Sequence, residues 1–378
     1  MKITQNQWQV NSGWQPAMDV VEPGAQLIFV FGSTALLKEK ERIDEIKRVY
    51  PSAYVMGCST AGEILATHVT DETIVVTAIQ FEHTYIQGAS IAIDKADDSV
   101  QIGEKLAQMI EYKDLVHVFV LSDGLNINGS DLVKGLANKL PGDVTITGGL
   151  SGDGARFQET LVFAEGTPHS NIVSIVGLYG DRLKVGYGSL GGWDSFGPER
   201  TVTRSQGNVL YELDGKSALE LYKKYLGEHA QGLPATGLLF PLSLRIQEDE
   251  VPVVRTILSV DEQEQSMTFA GTLPKGAIVR LMKANFDRLI DGAAGAAKTS
   301  YEAVGSFSPD LAILISCVGR KLILKQRIEE EVEGVREVLG EQVPLTGFYS
   351  YGEISPFTPG AKCELHNQTM TITTLSER

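Results

Sequence analysis

The sequence predicts a two-domain α/β protein made of repeated strand–helix–strand units with additional antiparallel β segments. Three observations carry that expectation. An apolar run, an amphipathic stretch and a second apolar run follow one another three times; each second run ends in a turn of related composition; and 43% apolar residues over 378 positions are enough for two or three buried cores. The first unit opens on Leu-Ile-Phe-Val-Phe at 27–31. A helix is expected from Ala35 to Tyr50, where Leu36, Ile43, Ile46 and Val49 recur at helical spacing and Pro51 ends the run, and Ala53 to Met56 is the returning strand.

The second unit starts at Val116–Leu121, turns at Ser122-Asp-Gly124 and enters a helix near Ser130 with Leu132, Val133, Leu136 and Leu140 apolar. Pro141 stops it, and Val144–Thr147 returns. The third begins at Leu311–Ser316 and continues through a helix lined by Leu324, Ile328, Val332, Val335 and Leu339, with Gly340 where a C-terminal cap belongs. Between the second and third lie strand-like segments at 171–177, 182–189 and 201–204, a Gly-rich turn at 191–198 and a helix at Ser217–Leu226. The domain boundary falls near Asp214–Ser217.

Composition excludes several functions. With 33 Lys and Arg against 48 Asp and Glu, the net charge of −15 repels phosphate backbones and anionic lipid, so nucleic acid is not an expected partner. No run approaches the roughly 18 consecutive apolar residues of a membrane span, and residues 1–15 lack the apolar core of a signal peptide. Cys58, Cys317 and Cys363 are widely spaced with no C-x-x-C, which argues against a disulfide framework and for a reducing cytoplasm.

The turns are the most informative feature. Gly57-Cys-Ser-Thr-Ala-Gly-Glu-Ile64 and Gly347-Phe-Tyr-Ser-Tyr-Gly-Glu-Ile354 share Gly, a hydroxyl residue, Gly, Glu and Ile at identical spacing, which suggests internal duplication. Gly148-Gly-Leu-Ser-Gly-Asp153 is a looser relative, compressed by one residue. Such turns can present backbone N–H groups, hydroxyls and a carboxylate to a common cavity. An amino acid would offer its ammonium to Glu63 or Glu353 and its carboxylate to Ser59, Thr60 or Ser350. The competing reading is that each Glu caps its own backbone and each Gly only permits a tight turn. Cys58, Ser151 and Asp153 belong to the same turns, and Tyr349, Tyr351 and Trp193 are candidates for walls of the pocket.

Nucleophilic catalysis by Cys58, or by Ser122 or Ser151, lacks a neighbouring base in sequence and a G-x-S-x-G elbow, so no enzyme activity is expected, and an enzyme using Cys58 or a Ser nucleophile is the rival reading. The six histidines form no metal pattern. A haem needs only one axial ligand, and His366 and His68, closest to the Gly-Glu-Ile turns, are the candidates. His117 alternates within a strand and reads as core; His83, His169 and His229 read as surface.

The motifs 57–63, 148–153, Asn208–Gly215 with the following helix, 347–356 and His366-Asn-Gln-Thr-Met370 together resemble the FIST sensory proteins. The resemblance divides the chain into an extension (1–24), a FIST N-terminal-like domain (25–214), a FIST C-terminal-like domain (215–362) and a C-terminal strand or tail (363–378). It implies a cytoplasmic ligand-binding module without catalysis, and adds Asn367 to the candidate ligand contacts. With no residues left for an effector domain, the chain is expected to act in trans on a signalling protein such as a histidine kinase or diguanylate cyclase. In layout it is similar to the NosP group, whose members bind haem b and sense nitric oxide. An amino acid or other small polar ligand is the alternative signal.

Overall fold

The computed structural model describes residues 1–18, 21–94, 98–247, 252–305, 308–357 and 360–378. Its organising feature is one unit used three times. Each unit contains a first strand, a helix, a second strand parallel to the first, a short hairpin and a return strand antiparallel to the first. In the first unit these are Leu27–Gly32, Lys40–Val49, Tyr54–Ser59, Glu63–Thr70 and Ile74–Gln80. In the second they are Leu115–Ser122, Gly129–Lys139, Thr145–Leu150, Val162–His169 and Ile172–Tyr179. In the third they are Leu311–Cys317, Ile328–Leu339, Leu345–Ser350, Gly352–His366 and Met370–Glu377. A further strand, Lys2–Gln9, Tyr85–Ala92 or Leu183–Leu190, pairs with each return strand. The two matched turns and the looser third are thus three instances of one plan, not two.

The hairpins lock the units together, because each leaves its own sheet. The first hairpin pairs with the third unit's second strand, the second with the first unit's, and the third with the second unit's. Where the second strands end, three backbone hydrogen bonds close a ring: Ala61 N–H to Tyr349 O at 2.8 Å, Tyr351 N–H to Leu150 O at 3.3 Å, and Gly152 N–H to Ser59 O at 2.9 Å. Beneath it Phe29, Phe31, Phe119 and Phe348 fill the space between the sheets, with ring centroids 4.7 to 5.9 Å apart. Each buried ring contributes roughly 1.5–3 kcal/mol.

The glycine that opens each turn motif has a steric reason. A Cβ at Gly57, Gly148 or Gly347 would lie 2.2, 1.9 or 1.8 Å from the carbonyl oxygen of Val30, Val120 or Leu314 on the neighbouring first strand. The helices bury the faces the sequence marks, but the stretch expected as one helix over 35–50 divides into Thr34–Leu37 and Lys40–Val49, and Leu324 ends a separate helix, Val318–Leu324, before Ile328–Leu339. Ile43, Ile46 and Val49 are buried, the Asn128 side chain accepts from the Ser130 and Asp131 N–H groups, and Gly340 caps its helix at φ 90°.

Between Leu183–Leu190 and Leu311–Cys317 the chain inserts an antiparallel β module, running from Asp194–Gln206 through Leu242–Arg245 and Ser266–Phe269 to Ile278–Lys283, around its own core. The 18-residue helix Phe286–Ala303 follows, to which the sequence pattern assigns nothing. After Leu289 its buried face is small, with Gly292, Ala293, Ala296, Ala297 and Ser300, and lies against Gly186 and Gly188. Residues 1–24 and 363–378, set apart in sequence as an extension and a tail, supply the strand Lys2–Gln9 and the buried return strand Met370–Glu377. The latter is Thr-rich, so neither alternation nor an apolar run marks it as central.

Glu63 and Glu353 belong to this framework. Thr60 Oγ1 donates to one oxygen of Glu63, and Thr73 donates to the other from N–H and Oγ1 at 3.2 and 2.7 Å. Ser350 Oγ donates to Glu353 at 2.6 Å, and Thr369 donates from N–H and Oγ1 at 3.3 and 3.0 Å. Burial pushes their carboxyls from the ordinary 4.5 up to about 7 and about 8, against these hydrogen bonds.

Two predictions follow from this packing. Gly347→Ala lowers stability by about 1–3 kcal/mol or more, whereas Gly142→Ala, which meets nothing within 4 Å, changes it by under about 1 kcal/mol; equal urea midpoints would overturn the close-approach argument. The unfolded chain ionises Glu63 and Glu353 from about pH 4.5 while the folded chain keeps the protons to about pH 7 and 8, so their contribution to stability falls as pH rises through that window. His117 and His366, held neutral by burial to about 3 and about 4, act oppositely, their contribution being lost as pH falls below about 6.5. The double variant Glu63→Gln/Glu353→Gln should therefore lose less stability than the parent between pH 5 and 8, by on the order of a few kcal/mol; parallel pH curves from chemical denaturation would count against it.

Candidate functional site

A cavity of about 440 Å³ lies where the inserted module meets the second and third units. The second unit supplies Gly124–Asn128, Leu150 and Phe157; the third supplies Cys317–Gly319, Tyr351 and Asn367; the module supplies Asn208, Leu238, Thr256, Leu258 and Phe269–Gly271. The walls are largely apolar. Tyr351 stacks on Phe157 with centroids 4.3 Å apart and an interplanar angle of 15°. Phe157 is 42% exposed at φ 54°, a conformation that costs a non-glycine residue energy and that clusters at functional sites.

Asn367 is the exceptional polar group. It is 1% exposed, and among the described residues neither its amide nitrogen nor its amide oxygen has a hydrogen-bond partner. Thr256 Oγ1, on the same cavity at 4% exposure, is also unpartnered. Flanking Asn367, His366 Nδ1 and Gln368 Oε1 are buried without partners. A buried polar group left unpaired costs about 1–3 kcal/mol, so native proteins satisfy nearly all of them.

The three units explain why Asn367 is singular. Thr73, Ile172 and Thr369 each accept through the carbonyl from the N–H of the residue at or just past the end of the first strand, namely Ser33, Asp123 and Cys317. Two residues before them stand Asp71, Ser170 and Asn367; between lie Glu72, Asn171 and Gln368, all at positive φ near 60°. Asp71 is 67% exposed and pairs with Lys321, and Ser170 is exposed. At the third position alone the module covers the residue.

Contacts between module and core converge on the same segment. Trp193 Nε1 donates to Gln368 O at 2.8 Å, Gln368 Nε2 to Leu238 O at 3.3 Å, and Arg255 to Leu365 O at 3.0 Å. Arg320, fully buried, is bound to Glu331 at 2.7 Å and donates to the carbonyls of Gly191 and Leu289, each at 2.7 Å.

Of the candidate ligand contacts and axial ligands named from the sequence, Tyr351 and Asn367 line this cavity; the others are placed elsewhere. Cys58 sits in the buried core, where burial pushes its thiol up well above its ordinary value, away from a reactive thiolate. Ser59 Oγ accepts from Leu161 N–H at 2.8 Å, and Ser151 Oγ donates to Ser122 O at 2.9 Å. Thr60, Glu63, Ser350 and Glu353 are occupied within their hairpins. Asp153 accepts from the N–H groups of Phe157, Gln158 and Glu159 and from the Tyr351 hydroxyl. Tyr349 donates to Glu331 at 2.7 Å, and Trp193 supports the Gln368 carbonyl from outside the cavity.

The candidate axial ligands are not at the cavity wall. His366 Nε2 is 2.7 Å from Ser355 O, and its ring packs on Phe357. The His68 side chain is 72% exposed, 3.3 Å from Glu329. Sequence reasoning missed Thr256, Phe157, Leu238 and Leu258, which carry no motif; the run Gly124-Leu-Asn-Ile-Asn128 after the second unit's first strand was the one available signal.

The FIST N domain matches residues 26–216 and the FIST C domain residues 218–356. An uncharacterized protein of Methanocaldococcus jannaschii is 22% identical, over 89% of this chain and 73% of its own length. Among solved structures, a chorismatase aligns over 99% of this chain and 98% of its own at 8% identity and a TM-score of 0.37. A cyanuric acid hydrolase from A. caulinodans aligns over 100% and 99% at 8% identity and a TM-score of 0.39. Similarity that low assigns neither fold nor activity. With the two domains matched in order over most of its length, the chain belongs to the FIST family of sensory domains.

Proposed function

We propose that this chain senses a small molecule held in the cavity between the inserted module and the second and third units, and that occupancy alters how module and core fit together. The observation that carries the reading is the buried, unpartnered amide of Asn367 on the cavity wall. A ligand that pairs with it removes a cost the ligand-free protein bears. Because Gln368 and Leu365 also bond the module, a shift of this segment on binding is transmitted to the interface. Such a sensor responds only if the ligand prefers one arrangement, and the output scales with that difference in affinity. A separate signalling protein, such as a histidine kinase or diguanylate cyclase, reads the change in the cytoplasm.

The lining favours a small organic ligand over haem. Among the described residues it offers no His, Lys or Arg to ligate iron or meet the propionates. Its Cys317 and Tyr351 are held protonated by burial, and the Tyr351 hydroxyl already donates to Asp153. The amino-acid alternative loses Glu63 and Glu353 as partners for an ammonium, since both are enclosed in their own hairpins.

Asn367→Leu should raise ligand-free stability by about 1–3 kcal/mol, since an apolar side chain of similar size replaces two unsatisfied atoms. The same variant should lose the thermal stabilisation that the parent shows with any ligand found in a metabolite screen. A destabilised variant would make the amide structural and overturn the reading. So would a Soret band, formed on adding haem to the parent protein and shifting with nitric oxide.

A further inference from the structure

The chemistry of the cavity narrows the ligand beyond its size. The Asn367 carboxamide carries a donor and an acceptor side by side, both buried and without a hydrogen-bond partner among the described residues. The partner that satisfies both at once carries an acceptor and a donor on adjacent positions of a planar edge, the geometry by which Asn reads the edge of a nucleobase. Thr256 Oγ1, from the module side, supplies one further hydroxyl able to donate or accept.

Among the described residues, charge is absent from the lining, which is formed by Gly, Ala, Val, Leu, Ile, Phe, Tyr, Asn, Thr and Cys. An ion entering such walls would lose its hydration with no counter-charge in contact, so the lining disfavours charged ligands. A neutral ring meets Tyr351, Phe157 and Leu150 from the core and Phe269, Leu238 and Leu258 from the module, surfaces suited to stacking and apolar contact.

We infer that the ligand is an uncharged planar heterocycle or aromatic amide whose adjacent donor and acceptor pair with Asn367, with the ring held between the aromatic wall of the core and the apolar wall of the module. This rests on the sensor reading above. The second unit, the third unit and the module each contribute, so closure around the ring draws the module onto the core, while the two equivalent positions, Asp71 and Ser170, offer no enclosed counterpart.

The test is thermal-shift and calorimetric titration of the full chain. One set holds uncharged planar amides and nucleobases of five- and six-membered rings, with nicotinamide, uracil and adenine among them. A second holds their analogues methylated on the edge N–H, and a third holds charged amino acids and haem. The expected result is saturable binding of at least one member of the first set, weakened about tenfold or more by methylation and abolished by Asn367→Leu. A cooperative urea transition of Asn367→Leu, at or above the parent's midpoint, shows that the variant is still folded. Binding of a charged amino acid, lost in Asn367→Leu while the first set fails, would overturn the ligand class and leave the cavity as the sensory site, whereas haem binding with a Soret band that shifts with nitric oxide would overturn both. Binding by none of the three sets would overturn this inference, and a broad metabolite screen equally without effect would overturn the sensory cavity with it.

Discussion

Three backbone hydrogen bonds around one axis hold the rest of this structure in place. They join the ends of the second strands, Ser59 to Gly152, Leu150 to Tyr351 and Tyr349 to Ala61. They can form only because glycine opens each turn motif and lets the second strand lie against the carbonyl of the first. With the ring closed, each hairpin is delivered to a neighbouring sheet, and the units cannot separate without breaking both backbone pairing and the phenylalanine core beneath. The buried carboxylates Glu63 and Glu353 serve this constraint. Each gathers the start of its hairpin and the start of its return strand, at the cost of holding a carboxyl out of water.

A threefold framework offers three equivalent positions, and asymmetry makes one of them a candidate site. The chain interrupts the third unit with the β module, which folds back over the Asn367 segment. Exposure that costs Asp71 and Ser170 nothing becomes, for Asn367, burial with no partner. The same segment carries Leu365 and Gln368, whose backbone and side chain bond the module directly. In the proposed reading, binding chemistry and interface mechanics share four consecutive residues, 365–368, through which a small ligand would act on a large interface. The interface is also rigid where it needs to be: the Arg320–Glu331 pair is fully buried and fastens the loop at Gly191 and the helix at Leu289. Removing one partner of such a pair strands a charge in the interior, so the loop bearing Trp193 is fixed while the cavity side remains apolar and open to a guest.

The sequence by itself determined the repeated strand–helix–strand plan, because parallel strands and their covering helices write their burial into periodicity: Ile43, Ile46 and Val49, or Val332, Val335 and Leu339, could face nothing but a core. It also determined the Gly-acid turns, since only glycine tolerates the carbonyl contact at 57, 148 and 347. The helix Phe286–Ala303 was not legible, because a face of glycine and alanine has little hydrophobic contrast. Nor was the central place of the Thr-rich strand Met370–Glu377, whose hydroxyls are satisfied only by neighbours distant in sequence, as Thr373 is by Thr147. Tertiary structure alone decided the site. Whether a carboxylate such as Glu63 greets a ligand or caps its own hairpin depends on where Thr73 lies, and whether an asparagine is a surface residue or an unsatisfied buried amide depends on what folds over it. Periodicity records how much of a residue is buried along its own element, but hydrogen-bond satisfaction is a property of the atoms that come to surround it, and these are brought together from three units and an insertion.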